Sequence, residues 1–561
     1  MFAIAPVHPW MGHQMTTDDR KRLLLPQFIC DRHCGRVAMT TTNAVPESSD
    51  ASTDPTTPRT PARESQFLSQ NPHLQNPNLL DPSLAQSSDM ASDMTSDIAA
   101  DIAAVERPIT GIKSGFDGQH PPDKGAIDAC VHCGFCLSTC PSYRVLGTEM
   151  DSPRGRIYLM DAIAQGEAQL DETTASHFDS CLGCLACTST CPSGVGYDRL
   201  LADMRPQLER NVPRGWGDRL IRGLIFNLFP YPKRLQALLP GLWLYQKSGV
   251  QALLRQTGWL DKISPQLAAM ESVLPAVSAE MLRVQTPRRI AATGKRRYRV
   301  GMVLGCVQRS VLPEVNGATM RVLSALGCEV VIPQEQGCCG ALPAHQGQEG
   351  QAQAIAKQMI QAFDRVQGDE PLDAIVINAA GCGHTLKEYG EILRDNPDWC
   401  DRGAAFSAQV QDIHEFLMTL AADRNLAGEL QPITESGESL TVVYQDACHL
   451  LHGQKISSPP RELLGQIPGV EVREPVDAAL CCGSAGVFNL LQPEIAEDLG
   501  EQKVGNLLAT EAQVIASPNP GCTLQIQKHL PEDAQVPVYH PIQLLDHALR
   551  GEAIALPQGK H

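Results

Sequence analysis

Between residues 297 and 550 the chain repeats itself, and each copy carries four cysteines in the same order. In the first copy YRVGMVLGC reads as a strand closing on Cys306, PEVNGATMRVLSALG as a helix, and CEVVIPQEQGCCG as a strand and turn ending in Cys338-Cys339-Gly340. HQGQEGQAQAIAKQMIQAF then reads as a helix, and DAIVINAAGCG as a strand followed at once by Cys382. In the second copy LTVVYQDAC, PPRELLGQIPG, VEVREPVDAALCCG, PEIAEDLGEQKVGNLLAT and AQVIASPNPGC run in the same order and carry Cys448, Cys481, Cys482 and Cys522. The tails match as well, DIHEFL with His414 against YHPIQLL with His540. Strands alternating with amphipathic helices predict parallel α/β layers, and in such sheets function gathers beyond the carboxyl ends of the strands. The expectation is two pseudo-symmetric α/β halves, 297–425 and 426–550, each delivering its thiols to one sheet edge. Gly340 and Gly483 are expected to allow the sharp turn that adjacent cysteines need. Metal ligation by these eight thiols and a buried structural role remain alternatives. His384 and His449 stand beside them either as assisting groups or as locally satisfied side chains. Cys328 and Cys400 have no counterpart in the other copy and read as ordinary residues.

Upstream lie two more cysteine runs, Cys130-Val-His-Cys133-Gly-Phe-Cys136-Leu-Ser-Thr-Cys140-Pro and Cys181-Leu-Gly-Cys184-Leu-Ala-Cys187-Thr-Ser-Thr-Cys191-Pro. Both follow the ferredoxin spacing in which three thiolates wrap one iron–sulfur cubane and the fourth ligates the other cluster. The reading assigns Cys130, Cys133, Cys136 and Cys191 to one [4Fe–4S] cluster, and Cys181, Cys184, Cys187 and Cys140 to a second. The competing metal is zinc, which takes four ligands from paired C-x2-4-C units and does not call for two runs of four. Between the runs SPRGRIYLMDAIAQGEAQL has helical periodicity, with Pro153 at its start and Ile157, Met160 and Ala164 on one face. Residues 106–205 form this Cys-rich domain.

The rest of the chain narrows the function further. Residues 1–105 are dominated by Ser, Thr, Asp, Pro, Asn and Gln and are expected to be disordered; the Cys30, His33 and Cys34 of CDRHC read as incidental there. Residues 206–296 form a bridge of short amphipathic helices expected to break at Pro230, Pro232 and Pro240, packing on a neighbouring domain or partner in preference to a membrane surface. Residues 551–561 are a tail. With 63 acidic against 46 basic residues and no long Lys/Arg run, nucleic-acid binding is excluded. The start MFAIAPVHPW lacks the basic flank of a secretory signal, and no apolar run reaches the ~18 residues of a spanning helix. Sixteen of the twenty cysteines grouped in this way point to metal ligation in a reducing cytoplasm. No G-x-G-x-x-G follows a strand, so no flavin or other dinucleotide is expected in this chain.

The phrases ACVHCGFCLSTCPSYRVLGTEMDSPRGRIYLM, HFDSCLGCLACTSTCPSGVGYDRLL, QGCCGALPAH, GCGHTLKEYG and LCCGSAGVFNLLQPEIA resemble the heterodisulfide reductase-like iron–sulfur subunits, and among them those of glycolate oxidase. The resemblance spans roughly residues 110–550 and leaves out the N-terminal hundred. It implies an α+β multidomain protein, with a helical dicluster ferredoxin-type domain followed by two pseudo-symmetric α/β Cys-Cys-Gly halves. The implied role is an electron relay beside FAD-containing glycolate oxidase subunits, inactive alone and passing electrons towards the quinone pool. The implied location is the cytoplasm or the inner face of the cell membrane. Related Cys-Cys-Gly domains bind a further iron–sulfur cluster and continue their last Cys as C-x2-C. Here Thr385 follows Cys382 and Gln525 follows Cys522, so that second thiol is absent from both copies. The rival functions are the same relay in a lactate or glycerol-3-phosphate dehydrogenase complex, a thiol/disulfide reductase, and a zinc scaffold.

Overall fold

The computed structural model describes residues 114–556, apart from 273, 275–276, 279–280, 284–285, 369 and 436–437. The disorder expected of residues 1–105, and Cys30, His33 and Cys34 with it, lie outside the described residues.

Between residues 124 and 211 the regular elements are helices, joined by the cysteine-bearing loops. The Pro153–Ala164 helix starts where expected, with the Ser152 hydroxyl accepting from the Gly155 amide and Pro153 in the first turn. It buries Arg156, Ile157, Met160 and Ile163; Ile163, one residue before Ala164, completes the inward stripe. The Tyr197–Asn211 helix closes this unit through Leu200, Leu201, Met204 and Leu208. Beyond it the Trp216–Leu228 helix seats Ile225 and Phe226 against Val487 and Leu490, so the bridge packs onto the neighbouring domain. Its opposite stripe, Trp216, Leu220 and Leu224, is exposed, Trp216 by 83%. The break falls at Pro230 and Pro232, whereas Pro240 lies inside the Pro232–Lys247 helix and does not end it.

The repeat folds as two sheets. The strands are β1 (Arg289–Ile290), β2 (Tyr298–Val303), β3 (Cys328–Val331), β4 (Ala374–Ile377) and β5 (Val410–Asp412), then β6 (Leu440–Tyr444), β7 (Val470–Arg473), β8 (Val514–Ala516) and β9 (Val538–Tyr539). The first sheet is ordered β1-β3-β2-β4-β5 and the second β7-β6-β8-β9. All pairs are parallel except β1 with β3. Leaving β1 aside, the two orders coincide strand for strand. Even-numbered residues such as Val300, Met302, Val330, Val376, Val442, Tyr444 and Val514 face one continuous core shared by both halves. Their odd-numbered neighbours Val303, Ile375, Ile377, Val443 and Ile515 pack on the outer helices, as the period-2 pleat demands.

The halves join through matched elements. The Pro313–Ala325 helix of the first packs on the Pro541–Arg550 helix of the second, and Ile413–Ala422 packs on Ser458–Gly465. Arg321 donates to both oxygens of Asp546, the shorter bond 2.7 Å. At the centre the rings of His414 and His540 stack with centroids 5.6 Å apart. His540 Nε2 donates to the Asn378 carbonyl at 2.9 Å while Nδ1 accepts from the Ile542 amide at 3.1 Å. Burial, together with the neighbouring His414, pushes the His540 imidazole down to about 3 from 6.5. A buried histidine held neutral gives its full stability above pH 6.5 and loses it as pH falls towards 3, here up to ~5 kcal/mol. The melting temperature is therefore expected to fall steadily below pH 6.5, and His540→Gln to flatten that fall; an unchanged slope in the variant would remove His540 as its cause.

Candidate functional site

Both ferredoxin-type loops reach their shape by the same backbone device. The residues on either side of the middle cysteine are left-handed, His132 (φ 52) and Gly134 (φ 84) around Cys133, Gly183 (φ 63) and Leu185 (φ 63) around Cys184. Two left-handed residues in a row of three fold the chain back on itself, turning successive thiols inward. Two of the four positions carry a side chain in a region that non-glycine residues rarely occupy.

Cys130, Cys133, Cys136 and Cys191 line one cavity, which Pro153, Ile157, Val195, Tyr197 and Cys187 also reach. Cys133 is exposed, and its neighbours Val131 and Phe135 are 67% and 64% exposed, so this set opens to the surface. The other set is interior. Cys140, Cys181, Cys184 and Cys187 are all buried. Burial and the charges of Cys448 and Cys187 push the Cys184 thiol well up; burial and Cys181 do the same at Cys187. Cys181 goes the other way. Burial raises it, but Arg156 and Arg205, both facing it, outweigh burial and hold it below its ordinary value. Arg205 Nη2 donates to the Cys181 carbonyl at 2.8 Å, and the Tyr197 hydroxyl lies 3.7 Å from Cys181 Sγ.

In the repeat the thiols also gather. Cys306 Sγ lies 3.4 Å from Cys338 Sγ, and Cys339 Sγ 3.0 Å from Cys382 Sγ. In the second half Cys448, Cys481, Cys482 and Cys522 are free thiols that act on one another electrostatically, Cys481 on Cys448 and Cys482, and Cys482 on Cys522. Gly340 and Gly483 both stand at φ 86, a left-handed turn that suits glycine. The outer cysteines do not sit directly on strand ends. Cys306, Cys382 and Cys522 fall in the first turn of the helices Cys306–Val311, Ala380–Lys387 and Pro520–His529, and Cys448 just precedes the wide turn His449–Gly453.

A cation accompanies each thiol group of the repeat, half-buried in the first half and buried in the second. Arg309 donates to the carbonyls of Gly305 (2.6 Å) and Gly337 (2.9 Å) and faces Cys306, Cys338 and Cys382. Lys503, 1% exposed, donates to the Ala478 carbonyl at 2.7 Å and faces Cys482, Asp446 and Cys522. Sequence reasoning missed both, as it missed Arg156. The available signal was a charge inside an apolar stripe: Lys503 between Leu499 and Leu507, and Arg156 between Pro153 and Met160.

His449 contacts a ferredoxin-type loop, and His384 stands beside Glu388 and the His449 ring. His449 Nε2 donates to the Gly183 carbonyl at 2.9 Å, pinning the Cys181–Cys187 loop to the second half. Its ring lies 4.8 Å from His384 and 4.9 Å from His345. Burial, then His449, pushes His384 down to about 3. Cys328 is enclosed in β3, where burial lifts its thiol to about 12, and Cys400 begins the Cys400–Gln409 helix. Neither belongs to a thiol group described above.

The donor set suits a sulfur-rich, negatively charged group. The two sets offer cysteine thiols as donors, and among the described residues the buried Arg156 Nη1 has no acceptor. Comparison with known proteins agrees. Residues 126–195 match a 4Fe-4S dicluster domain. Residues 217–274 match the linker region of glycolate oxidase iron-sulfur subunits, and residues 300–387 and 442–527 each match a cysteine-rich domain. A probable glycolate oxidase iron-sulfur subunit of Bacillus subtilis is 39% identical over 72% of this chain and 89% of its own length. The glycolate oxidase iron-sulfur subunit of Escherichia coli is 33% identical over 76% of this chain and 95% of its own. A lactate utilization protein A of Exiguobacterium is 26% identical over 44% of this chain and 94% of its own length.

Proposed function

The chain belongs to the family of glycolate oxidase iron–sulfur subunits, and from that premise we propose that it relays electrons in a complex whose separate flavin subunit oxidises glycolate to glyoxylate. The observation that carries the reading is the gathering of the eight ferredoxin-type thiols into two sets, one open to the surface and one buried against the second Cys-Cys-Gly half. Cys130, Cys133, Cys136 and Cys191 hold one [4Fe–4S] cluster, and Cys181, Cys184, Cys187 and Cys140 hold the other. When bound, each supplies one-electron chemistry, which suits a flavin that takes two electrons in a hydride-like step and releases them singly.

The chain's own residues do the rest. Val131, Cys133 and Phe135 offer the flavin partner an apolar edge beside the first set, and Trp216, Leu220 and Leu224 form a separate exposed apolar stripe on the bridge. Cys187 is buried and Cys133 exposed, so docking falls to Cys133 and its neighbours. Cys184 stands against Cys448, leading inward to the second thiol group, which is a candidate for a further cluster. Among the described residues no helix is long and apolar enough to cross a membrane; electrons reach the quinone pool through a peripheral contact.

The isolated subunit is expected to oxidise no 2-hydroxy acid, and the complex reconstituted with its flavin partner to reduce a dye with glycolate. Glycolate:dye activity from this chain alone, free of flavin, would overturn the relay. Reconstituted activity with lactate and none with glycolate would move it to the lactate-oxidising relatives.

A further inference from the structure

Arg156 is 0% exposed. A guanidinium stripped of water needs hydrogen-bond acceptors and negative charge, and the protein atoms supply these only in part. Nε donates to the His177 carbonyl at 2.6 Å, and Nη2 to Ser142 Oγ at 3.0 Å and Ser180 Oγ at 2.9 Å. Asp151 stands 3.7 Å away, but that carboxylate already accepts from Ser180 and from Thr148 and contacts His177 Nδ1 at 3.1 Å. Nη1 is buried and has no acceptor among the described residues. What the guanidinium faces is sulfur. Ser142 Oγ lies 3.3 Å from Cys140 Sγ, and the charge of Arg156 acts on both Cys140 and Cys181. Those two thiols come from different runs and fall in the same buried set. Arg205 adds a second positive charge beside Cys181. Beside the surface set the positive charge that acts on Cys136 is Arg154, which is partly exposed. Arg154 reaches its cavity, but its guanidinium is tied to Glu149 (2.6 Å and 3.1 Å) and to the His132 carbonyl (3.0 Å).

We propose that Arg156, seconded by Arg205, sets the reduction potential of the buried centre held by Cys140, Cys181, Cys184 and Cys187 and leaves the surface centre untouched. This rests on the reading that these thiols hold an iron–sulfur cluster. Reduction adds one negative charge, and a buried cation stabilises the reduced form more than the oxidised one. Hydrogen bonds to cluster sulfur act in the same direction, and Nη1 is the donor available for one. Arg156 is a positioning residue, since it touches no substrate and works through the thiols.

The test is a potentiometric titration followed by EPR on anaerobically purified full-length protein, with the two signals assigned from Cys133→Ser, which retains only the buried centre. Arg156→Gln is expected to lower the equilibrium constant for reducing the buried centre at least tenfold, equivalent to 59 mV for one electron. The surface centre should stay within twofold. Arg156→Lys, which keeps the charge, should recover most of the loss, and Arg205→Gln should shift the same centre in the same direction by less. An unmoved potential in Arg156→Gln, equal shifts of both centres, or Lys no better than Gln would each overturn the proposal. If Arg156→Gln fails to accumulate, Arg205→Gln decides, and an unmoved buried centre there overturns it. Wild-type protein without iron and sulfide would instead defeat the underlying cluster reading, which keeps the two failures distinct.

Discussion

Cys184→Ser protein, purified without oxygen, is expected to carry about four irons where the parent carries about eight, and to melt well below it. Cys184 is the buried thiol at the meeting point of the second ferredoxin-type loop and the second half, facing Cys448 and Cys140. A serine hydroxyl is a poor substitute for a thiolate, so one cluster is lost. The loss then propagates. Cys140, Cys181 and Cys187 are left as buried thiols, and Arg156 keeps a buried charge with only Asp151, 3.7 Å away and already shared with Ser180, Thr148 and His177, to face it. Leaving a buried charge uncompensated costs ~3–5 kcal/mol, and cluster binding is itself coupled to folding in domains of this kind. Cys133→Ser is the informative contrast, because that thiol is exposed. It should lose the same amount of iron with a much smaller fall in melting temperature. Iron and acid-labile sulfide analysis with thermal unfolding reads both quantities. Full iron content in Cys184→Ser would refute its place as a ligand.

Gly347→Ala is expected to be the most damaging single methyl group in the structure's inter-domain seam. Gly347 sits at φ 74, and a Cβ there would lie 2.5 Å from the Arg205 carbonyl oxygen, 2.6 Å from its carbonyl carbon and 2.9 Å from the Pro206 nitrogen. All three atoms are backbone of the Tyr197–Asn211 helix, so no side chain can swing aside. The left-handed conformation adds ~1–3 kcal/mol for a non-glycine residue, and relieving the overlap means moving the helix. A total loss of ~3–4 kcal/mol is the expectation, at the upper end for a point substitution. The displaced helix carries Arg205, whose guanidinium holds the Cys181 carbonyl, and Glu209, which accepts from Gln348 at 2.6 Å across the same seam. Turnover of the reconstituted complex should therefore fall at least tenfold while iron content stays near normal. Gly350→Ala, where the added methyl meets nothing within 4 Å, serves as the control and should melt at or slightly above the parent. Equal melting temperatures for the two variants would disprove the seam argument.

The halves were legible because period-2 strands and amphipathic helices alternate without interruption from Tyr298 onward, and the second copy repeats that order. The eight ferredoxin-type cysteines were legible because their spacing reflects loop chemistry, which is local. What escaped the reading is tertiary. Arg289–Ile290 is too short to show any periodicity, and becomes a strand only because β3 offers a free edge. Pro240 looks like a helix breaker, yet its helix continues through it, since surrounding turns outweigh one missing amide. Arg156 and Lys503 sit where an apolar residue would be expected, and only the folded arrangement reveals the thiols they face. The apposition of Cys184 to Cys448 joins segments far apart in the chain, and no local pattern encodes it.

The matched packing of the two halves has the form of a two-fold homodimer folded into one chain. His414 meets its own counterpart His540, and the helix pairings across the seam are reciprocal, the isologous pattern of paired identical subunits. Covalent linkage turns what would be a concentration-dependent association into an intramolecular one. It also releases the two copies from having to stay alike. A symmetric dimer would offer the Cys181–Cys187 loop two equivalent seats, whereas here Gly183 is held by His449 and Cys184 faces Cys448, both of the second copy. Fusion thus allows the Cys181–Cys187 loop to address the second copy while the helix behind it packs on the first, and gives a pseudo-symmetric scaffold a direction.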